Sequence, residues 1–224
     1  MLVFRSRMVQ PMNDKAKNNR RNLTPETLQD LQASLYDWQN YNFGPQDNER
    51  MLLGIAEEAG ELCHSYLKME QGIRGSADAH NDAMRDAVGD IMIYTLNFMS
   101  GQKWKIQNFV PREDVEVSSD HKIVRPSVLS VFRTAGRIAE EPNNPSRVQH
   151  MISSLIYLCA LKGWDLEEVL RDTWFEVGQR DWRNFPERGF PPGQEPRPRN
   201  QAAVQPQVEA QGQPAPQSTS PSVG

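Results

Sequence analysis

Cysteine is scarce: two thiols in 224 residues exclude a scaffold built on disulfides. No uninterrupted apolar run reaches the 18 residues a membrane helix needs, which excludes a helical span. No glycine-rich phosphate loop of the P-loop form occurs, which removes one large class of nucleotide-binding proteins. A net positive charge is also missing; the formal charge of −4 gives no general attraction to nucleic acid, and neither nucleic acid nor membrane is an expected partner. Leu2, Val3 and Phe4 meet Arg5 and Arg7 at once, so no apolar core of a secretory signal forms and a cytoplasmic location is expected.

What the chain does have is an uneven distribution of charge. Residues 1–22 carry six bases and one acid and read as a basic disordered tail. Residues 23–100 carry 13 acids against four bases, while residues 101–185 balance at 12 of each. From Pro186 to the end, nine of the 16 prolines fall among Gln, Ser and Gly, with almost no aliphatic side chains. A segment of that composition cannot offset its ordering entropy by burial, so residues 186–224 read as a Pro/Gln-rich disordered tail.

Between the tails the pattern is helical. Thr24, as N-cap, with Pro25 and Glu26 starts a first helix with Leu28, Leu31, Leu35 and Trp38 on one face, closed by Gly44-Pro45. A second helix is expected from about Asp47 to Glu70, ended by Gly72 and Gly75, and a third from about Ala79 to Met99. Residues 101–126 break the periodicity as an irregular insertion; Val115–Val117 and Lys122–Val124 suggest a small hairpin. A fourth helix carries Val128, Val131, Phe132, Ala135 and Ile138. A fifth, about Arg147 to Lys162, is apolar nearly all round and should be the most buried. A sixth starts at Asp165 with Glu168 three residues on. The expected class is all-α, a bundle of five to six helices spanning residues 23–185.

The acidic segment holds two clusters at helical spacing. Glu57, Glu58 and Glu61 share the second helix, and Asp86 and Asp90 are four apart on the third. If these helices pack antiparallel, the carboxylates face each other across the seam and repel. A hard divalent cation relieves that repulsion; Mg²⁺ takes oxygen ligands and is commonly completed by phosphates. No base is interleaved within either cluster, as a solvated ion-paired face would require. Ala59, Gly60, Ala87 and Gly89 are small enough for close helix approach.

Glu57-Glu58-Ala59-Gly60-Glu61 followed by Asp86-Ala87-Val88-Gly89-Asp90-Ile91 resembles the MazG-like nucleoside triphosphate pyrophosphohydrolases, within the all-α NTP pyrophosphatase group. Leu53-Gly54-Ile55-Ala56, Gln71-Gly72-Ile73-Arg74-Gly75 and Arg180-Asp181-Trp182 extend the resemblance over about residues 27–185. The family pattern is Glu-Glu-x-x-Glu, then Glu-x-x-Asp; here the Glu of the second half is Ala87, with Asp86 one residue earlier. The resemblance implies hydrolysis of a nucleoside triphosphate between its α and β phosphates, giving the monophosphate and pyrophosphate. It implies catalytic roles for Glu57, Glu58 and Glu61, and Mg²⁺, or Mn²⁺ in its place, on Glu58, Glu61, Asp86 and Asp90. Homodimers or homotetramers are usual in the family. Tyr94, Asn97, Lys68, Arg74 and Trp38 are candidate substrate contacts.

Two rival chemistries fall on the same helices. Glu61 and His64 form one Glu-x-x-His pair of the kind di-iron bundles use, but no other histidine has a glutamate three residues before it. Cys63 and His64 are adjacent and point about 100° apart on a helix, which does not make a nucleophile and its base. The non-enzymatic reading is a degenerate bundle that binds nucleotide, or builds an oligomer, without turnover.

Overall fold

The computed structural model describes residues 24–45, 47–109 and 123–194. Within them are six α-helices, a 3₁₀ turn at Ile106–Asn108 and no strand. The helices are α1 (Leu28–Phe43), α2 (Asn48–Gln71), α3 (Ala77–Gly101), α4 (Val124–Glu140), α5 (Pro145–Lys162) and α6 (Leu166–Val177). The all-α bundle expected from periodicity is the fold. None of its helices is long and apolar enough to cross a membrane.

Local chemistry sets the ends. α1 begins later than Thr24-Pro25 suggests: Thr27 is the N-cap, its hydroxyl accepting from the Asp30 amide while the Asp30 carboxylate accepts from the Thr27 amide. That reciprocal pair outcompetes a proline start that offers no such return bond. Asp47, Ser76 and Asp165 cap α2, α3 and α6 with a single bond each, the side chain accepting from the amide three residues on. Gly72 ends α2 in the left-handed region at φ 63°, and residues 72–76 turn the chain back into α3.

α3 is the centre of the bundle. It packs against α2, α6 and α1, and 13 of its residues are buried, against six in α5. The expectation that α5 is the most buried helix is therefore corrected. α5 covers only α4 to any extent, which leaves Ile156, Tyr157 and Leu161 half-exposed, whereas α3 is enclosed on three sides. Trp174, fully buried on α6, meets Trp38 of α1 edge-on at 6.2 Å.

Polar clips fix α1. The buried Gln32 amide donates to Ser100 and to the Trp104 carbonyl, and its oxygen accepts from the Ile106 amide. This one side chain ties α1 to the end of α3 and to the 3₁₀ turn. The hairpin expected near residues 115–124 falls mostly outside the described residues; Ile123 and Val124 open α4 instead of a strand. Residues 186–194, assigned by composition to the tail, are described, and Gly189 is buried there, its carbonyl accepting from the Asp181 amide.

Two glycines mark close helix approaches. A Cβ on Gly54 would enter the Tyr94 ring, and one on Gly89 would overlap the Thr173 side chain of α6. Gly60 faces open space, so it is not the close-approach point its motif suggests, and Gly89 serves α6, not α2. Gly89→Ala is expected to destabilise the fold by about 1–3 kcal/mol through overpacking. Thr173→Ala in the same chain should recover much of that loss, whereas Gly60→Ala should stabilise by about 0.5–1 kcal/mol through helix propensity. Urea denaturation of the three variants beside the parent chain checks the set.

Candidate active site

The antiparallel α2–α3 hairpin sets the register of the site. Asn48 lies against Gly101 and Gly54 against Tyr94, which brings Glu58 level with Asp90. A cavity of about 460 Å³ opens there, lined by Glu58 from α2, by Asp90, Tyr94 and Asn97 from α3, and by Trp38 and Phe43 from α1. Gln39, Arg50, Arg180 and Trp182 complete its polar and aromatic wall. Its size is that of a small-molecule site. A larger open cleft of about 760 Å³ lies between residues 103–109 and the start of α5, with no carboxylate in its wall.

Electrostatics gather the acidic residues around this cavity. Burial, then the charges of Asp90, Glu61, Glu57 and Asp86, push Glu58 from its ordinary 4.5 up to about 8. Asp90 is pushed up to about 7, first by burial and next by Asp86, with Glu61 and Glu176 adding and Arg180 opposing. Asp86 is also raised by burial, against the pull of Arg180 and Arg85. Glu57, Glu61 and Asp86 are exposed beside the cavity, not in its wall, yet each acts on Glu58. All five carboxylates singled out from the sequence thus form one electrostatic unit, joined by Glu176 of α6, which the sequence pattern did not mark.

The other expected contacts divide. Trp38 is buried and donates its indole N–H to the Arg180 carbonyl, with its ring edge still on the cavity. Burial, and then the charges of Glu58, Glu57 and Asp90, hold the Tyr94 phenol protonated above the usual range. Asn97 is 5 % exposed and donates to the Gln39 oxygen at 3.2 Å. Lys68 and Arg74 do not reach the cavity. Lys68 lies ten residues beyond Glu58, about 15 Å along the helix, and donates to Gln71; Arg74 stands in the loop at that far end.

Arg180 is the residue the motif reading passed over as a site residue. It lies just past α6, lines the cavity and opposes the charge of Asp86, Asp90 and Glu176. Its guanidinium stacks 5.8 Å above the Trp182 ring. α1 fixes this segment: Trp38 holds the Arg180 carbonyl, and Asn42 accepts from the Trp182 amide at 2.7 Å. The sequence shows Arg180 only as the start of Arg180-Asp181-Trp182, with nothing local to tie it to the carboxylates. Of the thiols, burial pushes Cys159 up to about 12 and raises Cys63, so neither is an activated nucleophile.

Among the described residues no three of His, Cys, Asp and Glu come together closely enough to enclose a metal ion. The chemistry of the donor set still fits a hard divalent cation: carboxylate oxygens alone, with two of them driven towards the neutral form by burial and then by the charge of neighbouring carboxylates. No family model, curated protein or solved structure matches the chain.

Glu58 and Asp90 give the fold a specific pH dependence. Both hold protons in the folded state at pH values where the unfolded chain has lost them, so stability falls as pH rises from about 4 to about 8 and then levels. Denaturant midpoints of the metal-free protein at pH 5 and pH 8 should show that fall. Glu58→Gln or Asp90→Asn should shrink it; an unchanged pH slope in both variants would refute the coupling.

Proposed function

We propose that the protein is a Mg²⁺-dependent nucleoside triphosphate pyrophosphohydrolase of the MazG-like kind, cleaving the α–β anhydride to the monophosphate and pyrophosphate. One observation carries the reading: a nucleotide-sized cavity whose wall holds Glu58 and Asp90, with further carboxylates acting on them from beside it, together with aromatic, amide, arginine and apolar side chains. Carboxylates that repel one another are a poor site for a phosphate by themselves and a good one for a cation that brings a phosphate with it.

Glu58, Glu61, Asp86 and Asp90 are the residues that would hold Mg²⁺. Bound there, Mg²⁺ supplies neutralisation of phosphate oxygens and lowers the pKa of a coordinated water. The chain's own groups do the rest. Glu57, exposed beside Glu58, orients the attacking water and accepts its proton. Arg180, also in the cavity wall, meets the negative charge of the phosphates. Trp38, Phe43 and Trp182 offer aromatic surface to the base. The bond broken is the bridging P–O between the α and β phosphates, and pyrophosphate leaves.

A second reading is kept by one observation. Ala87, at the position where the family pattern has Glu, is 2 % exposed and packed in the core. A chain so built could bind a nucleotide without turning it over. Turnover separates the two. With Mg²⁺, a panel of ribo- and deoxyribonucleoside triphosphates should yield pyrophosphate, not orthophosphate, from at least one member. Asp90→Asn and Glu58→Gln should each lower kcat by roughly a hundredfold or more with helicity intact, and Arg180→Ala should raise KM by roughly tenfold. Nucleotide binding with no product across the panel would favour the second reading.

A further inference from the structure

Residues 141–144 join α4 to α5, and the two helices pack against each other as an antiparallel pair. Val131 and Ile138 of α4, with Met151 and Leu155 of α5, lie in the core. On another side the pair leaves a groove of about 550 Å³ whose wall is polar and basic. Ser130 of α4 meets Ser154 of α5 there at 3.3 Å. In an antiparallel pair that contact sets Thr134 level with His150. Ser127 and Thr134, both buried, donate their hydroxyls back to carbonyls of α4 at 2.9 and 2.8 Å.

Arg133 and Arg137 stand one turn apart on the α4 wall, with His150 on the α5 wall, and no carboxylate lines the groove. Neither arginine forms an ion pair or a side-chain hydrogen bond with another described residue. Glu141, four residues beyond Arg137, is taken by Arg147 at 2.6 Å and by Asn144 at 2.7 Å. Arg137 is the least of the influences that hold its carboxyl below the usual range. Two like charges four apart on a helix, with Cβ atoms about 5–6 Å from each other, repel. A guanidinium is a planar fork that grips two phosphate oxygens at once, so a pair of unmatched forks in one wall is the counterpart of a multiply charged oxyanion. The balance of acids and bases over residues 101–185 conceals this local excess of cation.

We infer that the α4–α5 groove is a second ligand site and takes a diphosphate group, with Arg133 and Arg137 each engaging one phosphate. His150, Ser153 and the Tyr157 hydroxyl supply the remaining polar contacts from α5. The site is separate from the carboxylate cavity in residues and opposite to it in charge, so it stands whether or not that cavity hydrolyses nucleotides. Tyr157 is the one aromatic ring in the wall. Single-stranded nucleic acid is held by a succession of stacking rings along a basic groove, which this wall does not offer. A small diphosphate-bearing molecule is the occupant that the charge and the size of the groove fit. Free pyrophosphate and a nucleoside diphosphate both carry that group.

Isothermal titration of the full chain with inorganic phosphate, pyrophosphate and ADP tests the site. EDTA is present throughout, so that the carboxylate cavity holds no cation and repels the ligand. Pyrophosphate or ADP should bind at least about tenfold more tightly than phosphate, since only they can engage both forks. Tighter binding of ADP identifies a nucleotide as the occupant, and tighter binding of pyrophosphate the free diphosphate; either result supports the site. Arg133→Gln and Arg137→Gln should each weaken binding by roughly tenfold or more. Both side chains are exposed and unpaired, so these variants keep the fold, which circular dichroism checks. Lys103→Gln, in the wall of the larger cleft, should change nothing. No binding of pyrophosphate or ADP, equal affinity for phosphate, an affinity unchanged in either arginine variant, or an equal loss in Lys103→Gln would each overturn the inference.

Discussion

Like charges held together across a helix seam are the constraint on which the rest of this molecule turns. Residues 72–76 are too few to let α3 do anything but return along α2, and Gly54 beneath the Tyr94 ring lets the two helices close. That register brings Glu58 and Asp90 level. The bundle then encloses them on several sides, so that burial is the largest influence on both. In water the same five carboxylates would repel weakly and ionise freely; in a partly desolvated wall each neighbour's charge counts for more. The fold tolerates this through proton uptake by Glu58 and Asp90 and through the guanidinium groups of Arg180 and Arg85. Such an arrangement is a standing disadvantage to stability, of the sort that persists at sites with a task to perform.

The elements around the seam exist largely to hold the Arg180 guanidinium and the far wall in place. Arg180 lies outside any helix, where a chain would ordinarily be free to drift. Trp38 and Asn42, a turn apart on α1, each take one main-chain group of the segment: the Arg180 carbonyl and the Trp182 amide. α1 is itself anchored at its other end by Gln32. A cation at the wall of the cavity therefore depends on hydrogen bonds from a helix 140 residues earlier in the chain.

Much of this was legible in the sequence, and the limits are physical ones. Helix existence and most helix ends followed from apolar periodicity and from capping residues, because both act within a few residues. Glu57, Glu58, Glu61, Asp86 and Asp90 were visible because helical spacing alone places each cluster on one side of its helix. What periodicity does not encode is which neighbour an apolar face meets. α5 looked the most buried on composition, yet α3 is, since burial depends on how many helices surround a face. Arg180 and Glu176 escaped for a similar reason: they reach the seam through the α3–α6 contact, which no local pattern announces. Thr27 displaced Thr24 as a cap because a return bond from Asp30 is available only there. Lys68 and Arg74, near the cluster along the chain, are carried away from it by the rise of α2.

Ala87 shows why a neighbouring carboxylate is not a simple replacement. Consecutive residues on a helix differ by about 100° in direction. Residue 87 faces the core and residue 86 faces outward, so Asp86 approaches the seam from a different side than a side chain at 87 would. Its effect is nevertheless registered where it matters: after burial, Asp86 is the largest influence raising Asp90, while it is the weakest of the four charges acting on Glu58. Asp86 acts on the α3 side of the seam, where Arg180 and Arg85 oppose it and where it also raises Glu176. Arg180 opposes Asp86, Asp90 and Glu176 alike, so part of the counter-charge of the acidic seam comes from the chain itself.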